Sequence, residues 1–234
     1  MTTDAQRARA VSTMFTRIAG RYDLMNSLMT GGRHHVWRRA TARAAIAAPS
    51  GPILDLATGT ADLALAIQRL EPTRPVVGAD FSLGMLDKAG RKVAGPGQTR
   101  VALVAADALA LPFADRTFAC VASAFLLRNL VDLEHGLREM RRVTRSGGRV
   151  IALDITRVAL PIWGTVFGLY FHRVVPAIGA LVARDRQAYT YLPQSVDRFL
   201  TPRELAQAME KAGLCDVHWQ SFGLGTVALH VGVV

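Results

Sequence analysis

Between residues 53 and 155 the chain alternates short apolar runs with longer amphipathic segments, and this alternation constrains the fold more than any other feature. Five runs have the length and composition of buried strands: Ile53–Ala57, Val76–Asp80, Val101–Ala105, Phe118–Ala124 and Arg149–Ile155. Most of them are separated by segments with the periodicity of helices. Such alternation predicts right-handed crossovers and a mostly parallel sheet covered by helices on both faces, an α/β fold of the Rossmann-like type.

The separating helices are predicted at Ala61–Leu70, Met85–Val93 and Leu133–Val143, and a turn at residues 146–148 leads into the fifth strand. The C-terminal part predicts a helix at 201–212, which Thr201 caps and Pro202 begins, and then two strands at 215–221 and 226–231. These two strands would close the sheet as an antiparallel hairpin. We therefore expect seven strands, with the last one antiparallel.

Two further regions lie outside the alternating part. Residues 7–48 have a helical pattern that Gly31 and Gly32 interrupt, whereas residues 158–198 are apolar and aromatic and predict inserted helices. We expect four parts: an N-terminal helical lid at 1–48, a ligand-binding core at 49–157, a helical insert at 158–200, and a C-terminal helix with the closing strands at 201–234.

Composition narrows the class of protein. The 234 residues include 28 Lys and Arg against 18 Asp and Glu, a formal charge of +10, which favours an anionic partner. The basic residues are spread along the chain, and their densest groups, 33–43 and 138–149, are not interleaved with exposed aromatic residues, so we do not expect nucleic-acid binding. The two cysteines, Cys120 and Cys215, have no metal-site spacing and favour a reducing compartment.

The longest apolar stretch runs from Val158 to Phe171. It is shorter than the roughly 20 residues that a membrane-spanning helix needs. The N-terminal residues also lack the apolar core of a signal peptide. We therefore expect a cytoplasmic protein without a metal site.

The first predicted strand ends in a glycine turn, ILDLATGTAD at residues 53–62. Gly59, after Thr58, lets the backbone approach a ligand closely. The helix that follows offers N–H groups and a partial positive charge to a carboxylate. An amino group on the same ligand would need an acceptor, and either Asp55 or a backbone carbonyl can serve.

Acidic residues end the next two strands. Asp80 can accept hydrogen bonds from both hydroxyls of a ribose, and Asp107 can accept one from the exocyclic amine of an adenine beside Ala108. Each residue alone is weak evidence, because an aspartate at a strand end is often only a helix cap. The turn also lacks the G-x-G-x-x-G spacing of a nicotinamide enzyme. The combined pattern favours S-adenosylmethionine.

More specific motifs lie elsewhere: MFTRIAGRYDLMNSLMTGGRHHVWRR near the N-terminus, AFLLRN at 124–129 and AYTYLPQSVDRF at 188–199. Together with ILDLATGTAD, VVGADFSLGML, DALALPFADRTFACV and LREMRRVTRSGGRV, they cover nearly the whole chain. The chain thus resembles the menaquinone and ubiquinone biosynthesis C-methyltransferases, which are class I S-adenosylmethionine-dependent methyltransferases. The resemblance implies that fold, that cofactor and a demethylmenaquinol-type quinol or a related aromatic acceptor.

The resemblance also assigns residues to the cofactor site by position. The cofactor contacts of the family fall on Thr58, Asp80, Asp107 and Ala108, and on Ala124, where the family often has serine. Phe81 follows Asp80 within VVGADFSLGML, and Tyr22 resembles a lid residue that closes over the cofactor.

The catalytic candidates follow from the LRN motif. Arg128 matches its arginine, which cannot act as a base but would stabilise a phenolate or orient a water. Equally, Arg128 could form an ion pair that positions the following loop. Asn129 would hold the geometry, and Asp154 is a candidate base at the end of the fifth strand. The family usually has glutamate there and a third glycine at Ala61.

The insert would form the roof of the acceptor site. Its aromatic residues would line an apolar tunnel, belong to the core or touch a membrane: Trp163, Phe167, Tyr170 and Phe171. Further candidates, with structural roles expected, are His172, Tyr189, Tyr191 and His230. Two further interactions are considered, a peripheral contact with the inner face of the membrane and the formation of a homodimer. Two alternative functions remain: methylation of a small soluble natural product, and a non-catalytic cofactor-binding assembly subunit.

Overall fold

The computed structural model describes residues 13–14, 16–18, 20, 22–95, 100–158, 167–179 and 186–234, without the side chains of residues 22 and 186–189. Its strands are β1 (Ile53–Leu56), β2 (Val76–Asp80), β3 (Val101–Ala105), β4 (Phe118–Ala124), β5 (Thr144–Ile155), β6 (Cys215–Phe222) and β7 (Val227–Val233). They form one sheet in the order β3-β2-β1-β4-β5-β7-β6. Only β7 runs antiparallel to its neighbours. The predicted seven-stranded α/β fold is therefore confirmed.

The helices are α1 (Tyr22–Thr30), α2 (His34–Ile46), α3 (Asp62–Leu70), α4 (Leu83–Val93), α5 (Leu133–Val143), α6 (Val175–Ile178), α7 (Arg186–Asp197) and α8 (Pro202–Lys211). Short 3-10 turns lie at Leu127–Asn129 and Gly223–Gly225, and a π-helical turn at Tyr170–Val174 runs into α6. As predicted, Gly31 and Gly32 separate the first two helices, and both have positive φ. The predicted cap of α8 is also present, as a reciprocal capping box between Thr201 and Glu204.

The core has three parts, because strand side chains alternate between the two faces of the sheet. Ile53 belongs to a cluster with the buried residues of α2 and α3, whereas the adjacent Leu54 belongs to a cluster with those of α5 and α8. A third cluster joins the N-terminal helices to the insert and contains Ile18, Met25, Phe171, Val175 and Val196. The helices of the lid and the insert are therefore held together by a small core of their own.

Several elements begin or end away from the predicted residues, and backbone geometry explains the differences. β1 stops at Leu56 and α3 starts only at Asp62, because Ala57 and Ala61 have φ values of 59° and 64°. Such left-handed residues belong to neither a strand nor a right-handed helix. β5 begins at Thr144 instead of Arg149, because Thr144 pairs with Phe118 of β4.

The strand order places a switch point between β1 and β4. The chain moves from β1 through β2 to β3 in one direction and then returns to β4 on the other side of β1. In open α/β sheets, ligands bind outside the carboxyl ends of the strands at such a point. Within the described ranges, no helix is long and apolar enough to cross a membrane.

Candidate functional site

A cavity lies beyond the carboxyl ends of β1–β4, and we call it the strand-end cavity. It is lined by residues at the ends of these strands and in the segments that follow them: Leu56, Ala57, Gly59, Asp80, Phe81, Ser82, Met85, Ala106, Asp107, Ala108, Leu109, Ala124, Phe125, Leu126, Asn129, Leu130 and Val131. Six of the residues predicted for the cofactor are therefore brought together here: Gly59, Asp80, Phe81, Asp107, Ala108 and Ala124. The predicted site lies at the switch point of the sheet.

Asp80 is the central polar group of the strand-end cavity. Its Oδ2 accepts a hydrogen bond from the Gly59 N–H at 2.8 Å, and its Oδ1 accepts one from the Ser82 N–H at 2.8 Å. Burial raises the pKa of this carboxyl. A carboxylate has about four acceptor positions, so two remain for hydroxyl groups of a ligand.

The other walls of this cavity suit a flat, weakly polar ring. Phe81 is half-exposed at its edge, and apolar side chains of Met85, Leu126 and Leu130 complete the surface. Asp107 is exposed beside them, and its Oδ1 accepts a hydrogen bond from the Leu109 N–H at 2.9 Å. A ring with a polar edge can therefore lie against these side chains and reach Asp107.

Asp55 and Thr58 do not line the cavity, although both were predicted as cofactor contacts. Asp55 is fully buried, and its Oδ2 accepts hydrogen bonds from the Thr58 hydroxyl at 2.6 Å and the Ala64 N–H at 2.9 Å. The two residues thus connect the end of β1 to the first turn of α3. Their hydrogen bonds fix the glycine turn from the buried side. Of the two acceptors considered for a ligand amino group, the backbone carbonyl is therefore the one that stays a candidate.

The stability of the protein should depend on the ionisation of Asp55. Burial raises its pKa from 3.8 to about 7, so the folded state binds this proton more tightly than the unfolded state. The stabilisation is complete below about pH 4 and is lost as the pH rises through 7. We expect the free energy of unfolding of the wild type to fall by about 2–3 kcal/mol between pH 5 and pH 8 from this group.

Urea unfolding at both pH values measures this effect. Asp55→Asn cannot ionise, and its profile should be flatter than that of the wild type. Asp87→Asn, at an exposed position of α4, is the matched control and should keep the wild-type slope. Parallel profiles for the wild type and Asp55→Asn would show that Asp55 is already ionised at low pH.

A second cavity lies between the N-terminal helices, the insert and the ends of β4, β5 and β7, and we call it the lid cavity. Its walls are largely apolar and include Met14, Ile18, Met29, Trp37, Ile155, Phe167, Phe171, Leu192 and Val227. The polar residues of its lining are Asn26, Thr30, His34, Arg128, Asn129, Tyr170, Tyr191 and Thr226. This cavity suits a largely apolar ligand that carries a few polar groups.

Phe125 and Asn129 line both cavities and form a shared wall. Phe125 has φ of 64°, a conformation that a bulky residue rarely adopts. Its N–H donates to the Leu153 carbonyl at 2.7 Å, and its carbonyl accepts from Asn129 Nδ2 at 3.0 Å. These bonds hold a strained residue between the two cavities, as is common at functional sites.

Arg128 is buried behind this wall and lines the lid cavity. Its Nη1 donates to Asp154 Oδ1 at 2.6 Å and to the Phe125 carbonyl at 2.8 Å. Its Nε has no hydrogen-bond partner among the described residues. Arg128 is therefore both an ion-pair partner, as one interpretation predicted, and a source of N–H donors for a ligand.

Asp154 does not occupy the position of a base. It is completely buried, lines neither cavity, and its Oδ1 also accepts from the Ile155 N–H at 2.8 Å. Its Oδ2 accepts from the Arg128 backbone N–H at 3.2 Å. Because both oxygens are occupied inside the protein, the geometry assigns Asp154 to holding Arg128 and does not support proton transfer from a ligand.

Contacts from the lid and the insert reach the site at several points. Tyr191 of α7 donates through its hydroxyl to Asn129 Oδ1 at 3.2 Å, and Tyr170 donates to the Met29 carbonyl at 2.8 Å. On the other side, Lys92 Nζ lies 2.5 Å from Asp23 Oδ2 and joins α1 to the core. The lid cavity is thus enclosed by elements that are bonded to one another.

The remaining candidates lie elsewhere. His172 is exposed and pairs with Asp197 at 3.1 Å, and it does not line the lid cavity. His230 is completely buried, stacks on Trp219 and bonds to the Pro202 carbonyl at 2.8 Å, which is a structural role. Trp163 and the side chains of Tyr22 and Tyr189 are outside the described part of the chain.

Residues of the N-terminal helices were missed by sequence reasoning, apart from Tyr22. Asn26, Thr30, His34 and Trp37 all line the lid cavity. Asn26 and Thr30 are four residues apart in α1, and His34 and Trp37 are three apart in α2, so each pair lies on one face of its own helix. The spacing within each helix is the signal that could have identified them.

Known proteins share this fold and sequence. An S-adenosylmethionine-dependent methyltransferase of Thermotoga maritima has a TM-score of 0.66 to this chain at 17% identity, with 94% of this chain and 98% of the other covered. At that identity the likeness concerns the fold alone.

The sequence relatives are closer. A demethylmenaquinone methyltransferase of Roseiflexus castenholzii is 42% identical over 97% of this chain and 94% of the relative. The ubiquinone/menaquinone biosynthesis C-methyltransferase UbiE of Desulfotalea psychrophila is 43% identical over 95% of this chain and 89% of the relative. The family model described as the ubiE/COQ5 methyltransferase family matches residues 2–234. The resemblance predicted from the motifs is confirmed, and the chain belongs to the ubiE/COQ5 methyltransferase family.

Proposed function

We propose that this S-adenosylmethionine-dependent enzyme methylates a ring carbon of a demethylmenaquinol-type quinol. The observation that carries the proposal is the wall of Phe125 and Asn129, which is shared by two cavities. The strand-end cavity suits a nucleoside, and the lid cavity suits a largely apolar ligand. Methyl transfer is an in-line displacement, so the protein chiefly has to position two reactants on either side of one point. The names and sequences of the relatives support the same acceptor class.

In this proposal the strand-end cavity holds the methyl donor. Asp80 accepts hydrogen bonds from the ribose hydroxyls, Asp107 accepts one from the adenine amine, and Phe81 packs against the ring. Gly59, with φ of 56°, leaves the backbone of the turn accessible to the amino-acid end. The bound cofactor supplies an electrophilic methyl group. Thr58 and Asp55 contribute by holding the turn, and Tyr22 stays a predicted lid contact.

The lid cavity would hold the quinol, and Arg128 would prepare it for reaction. A phenol ring carbon becomes a good nucleophile when its neighbouring hydroxyl gives its proton to water, and after methylation the ring carbon loses its hydrogen as a proton to restore the aromatic ring. Arg128 lines this cavity, so its guanidinium can donate to the oxygen of that hydroxyl and stabilise the phenolate, while Asp154 keeps the guanidinium in place. Asn129 keeps the shared wall in position through its bonds to Phe125 and Tyr191.

Two experiments test this function. The purified protein should transfer the methyl group of S-adenosylmethionine to a chemically reduced demethylmenaquinone with a short tail, detected by mass spectrometry. A deletion strain should accumulate the unmethylated quinone. Unchanged cellular quinones together with methylation of a soluble aromatic compound would favour a natural-product enzyme. Cofactor binding without any methylated acceptor would favour an assembly subunit.

We further propose a peripheral membrane contact around the lid cavity. Leu24 and Leu28 lie one turn apart on α1 and are 53% and 45% exposed, and Leu169 and Val174 of the insert are 58% and 43% exposed. Arg173, also exposed, adds a positive charge. Exposed apolar side chains near a basic residue suit an anionic membrane surface, where a prenylated quinol resides.

Replacing Leu24 and Leu28 by Glu should therefore weaken binding to vesicles of phosphatidylglycerol by about 10-fold or more, because two leucine side chains that would insert into the membrane surface are lost. Co-sedimentation measures the binding. Methylation of a water-soluble quinol analogue should remain within about twofold, since the cavity itself is unchanged. Leu70→Glu, at the exposed end of α3, is the matched control. Equal binding of all three proteins would remove this surface from the proposal.

The homodimer stays a prediction, and light scattering of the purified protein would measure the oligomeric state directly.

A further inference from the structure

His34 is a buried polar residue of the lid cavity that the proposed methyl transfer does not use. It begins α2, is only 4% exposed and lies in the cavity lining together with Thr30, Asn26 and Arg128. Its Nδ1 lies 2.9 Å from Thr30 Oγ1, and Thr30 Oγ1 lies 2.7 Å from the Asn26 carbonyl oxygen. These three groups form a short hydrogen-bonded chain.

The direction of this chain follows from the chemistry of its members. A carbonyl oxygen only accepts, so the single hydroxyl hydrogen of Thr30 is donated to Asn26. Thr30 Oγ1 must then accept from His34, which places a hydrogen on His34 Nδ1. The hydrogen-bonding partner of one ring nitrogen thus determines the state of the other.

Burial, with the neighbouring His35 and Arg38, lowers the pKa of His34 to about 4. The ring is therefore neutral near pH 7, and Nε2 carries a free lone pair. Among the described residues, Nε2 has no hydrogen-bond partner, and it is not one of the fully buried atoms. His34 consequently offers the lid cavity an acceptor and no donor at Nε2.

Arg128 has the opposite property, because a guanidinium only donates. The lid cavity therefore has a donor group on the sheet side and an acceptor group on the helical lid, within largely apolar walls. An aromatic diol is complementary to both groups, because one of its oxygens can accept from the donor group and its other hydroxyl can donate to the acceptor group. A quinone, whose two oxygens only accept, leaves the His34 lone pair unpaired.

We propose that His34 Nε2 accepts a hydrogen bond from the second hydroxyl of the acceptor, the one that Arg128 does not hold. His34 thereby selects the reduced diol, with Thr30 and Asn26 fixing its tautomer. The inference rests on the proposed function, since it names the groups of the quinol that the same site recognises. It adds a residue of the helical lid to the recognition of the acceptor.

A comparison of two acceptors tests this role independently of folding. The first is a short-tailed naphthalene-1,4-diol, and the second is the same compound without the hydroxyl distant from the reacting carbon. His34→Phe should lower kcat/KM for the diol by about 10²-fold or more, because the second hydroxyl of the diol is then buried without an acceptor. For the monohydroxy compound it should change kcat/KM by less than about threefold.

Two further variants separate recognition from a structural effect. His34→Gln keeps an acceptor oxygen and should recover part of the preference for the diol. Thr30→Val removes the partner of Nδ1 and should reduce the preference to an intermediate value. The affinity for S-adenosylmethionine, measured by calorimetry, should stay at the wild-type value in all three variants.

The possible results differ clearly. Equal losses for both acceptors in His34→Phe, or an unchanged preference in Thr30→Val and His34→Phe, would overturn the role of His34 while the proposed function stands. A wild-type protein that methylates neither compound contradicts the proposed function itself. If His34→Phe does not fold, the graded preference across His34→Gln and Thr30→Val decides the question.

Discussion

Replacing Arg128 by Met is expected to lower the rate of methyl transfer by about 10²–10³-fold, the usual effect of removing one donor that stabilises a developing anion. The affinity for S-adenosylmethionine should change by less than about threefold, because Arg128 lines the lid cavity and not the strand-end cavity. Single-turnover kinetics and calorimetry measure the two quantities separately. Equal losses in rate and affinity would remove Arg128 from the catalytic list.

Stability has to be separated from chemistry in this variant. Arg128→Met leaves the fully buried Asp154 without its counter-charge, which typically costs about 3–5 kcal/mol. In Arg128→Met with Asp154→Asn both charges are absent, and the amide can still bond to nearby N–H groups. The double variant should therefore recover most of the free energy of unfolding. If Arg128 contacts the acceptor, the double variant should still be as inactive as Arg128→Met.

Recovered activity in the double variant would contradict the catalytic assignment. It would mean that Arg128 only neutralises Asp154 and positions the loop at residues 125–131. Arg128→Lys adds an independent comparison, because an ammonium keeps the charge but lacks the planar array of donors. We expect it to keep most of the stability and only a small part of the rate.

The second large effect is expected at the strand-end cavity. Asp80→Ala should weaken binding of S-adenosylmethionine by about 10²-fold or more, because two hydrogen bonds from the ribose to a charged group are lost. The Gly59 and Ser82 N–H groups also lose their acceptor, so the turn itself becomes less ordered. Titration calorimetry measures the dissociation constant.

Asp80→Asn keeps one acceptor oxygen and should cause a smaller loss, about 10-fold. Asp87→Ala, at an exposed position of the helix that follows Asp80, is the matched control and should bind like the wild type. NADH should give no heat with any of these proteins. Wild-type affinity in Asp80→Ala would place the ribose elsewhere in the cavity.

The residues at the strand ends could be predicted because their positions follow from local rules. Short continuous apolar runs mark the strands, and a parallel sheet brings their carboxyl ends to one edge. Asp80, Asp107 and Ala108 therefore line one cavity, as predicted. Asp55 was also predicted at this edge, but side-chain direction decides contact. Its carboxylate turns inward to Thr58 and Ala64.

The chemistry around Arg128 depends on contacts between distant residues. The sheet register places Ala124 beside Leu153, which brings the loop after β4 to Asp154. The motif identifies Arg128 but not its partner, and the position of Asp154 near the end of a strand makes it a candidate base. Burial and full occupation of both oxygens give it a different role. Phe125 gives no local signal, because a phenylalanine with positive φ is stable only where surrounding bonds hold it.

Local patterns in the sequence thus determined the order of strands and helices, the edge of the sheet that binds the cofactor and the family of the enzyme. These properties follow from periodicity, turn residues and motifs over a few neighbouring positions. The tertiary structure decided which side chains meet in the lid cavity. His34, Arg128 and Tyr191 come from separate elements, and hydrophobic clusters between distant segments pack these elements together. Packing between distant segments depends on the shape of both surfaces, which no short stretch of sequence contains.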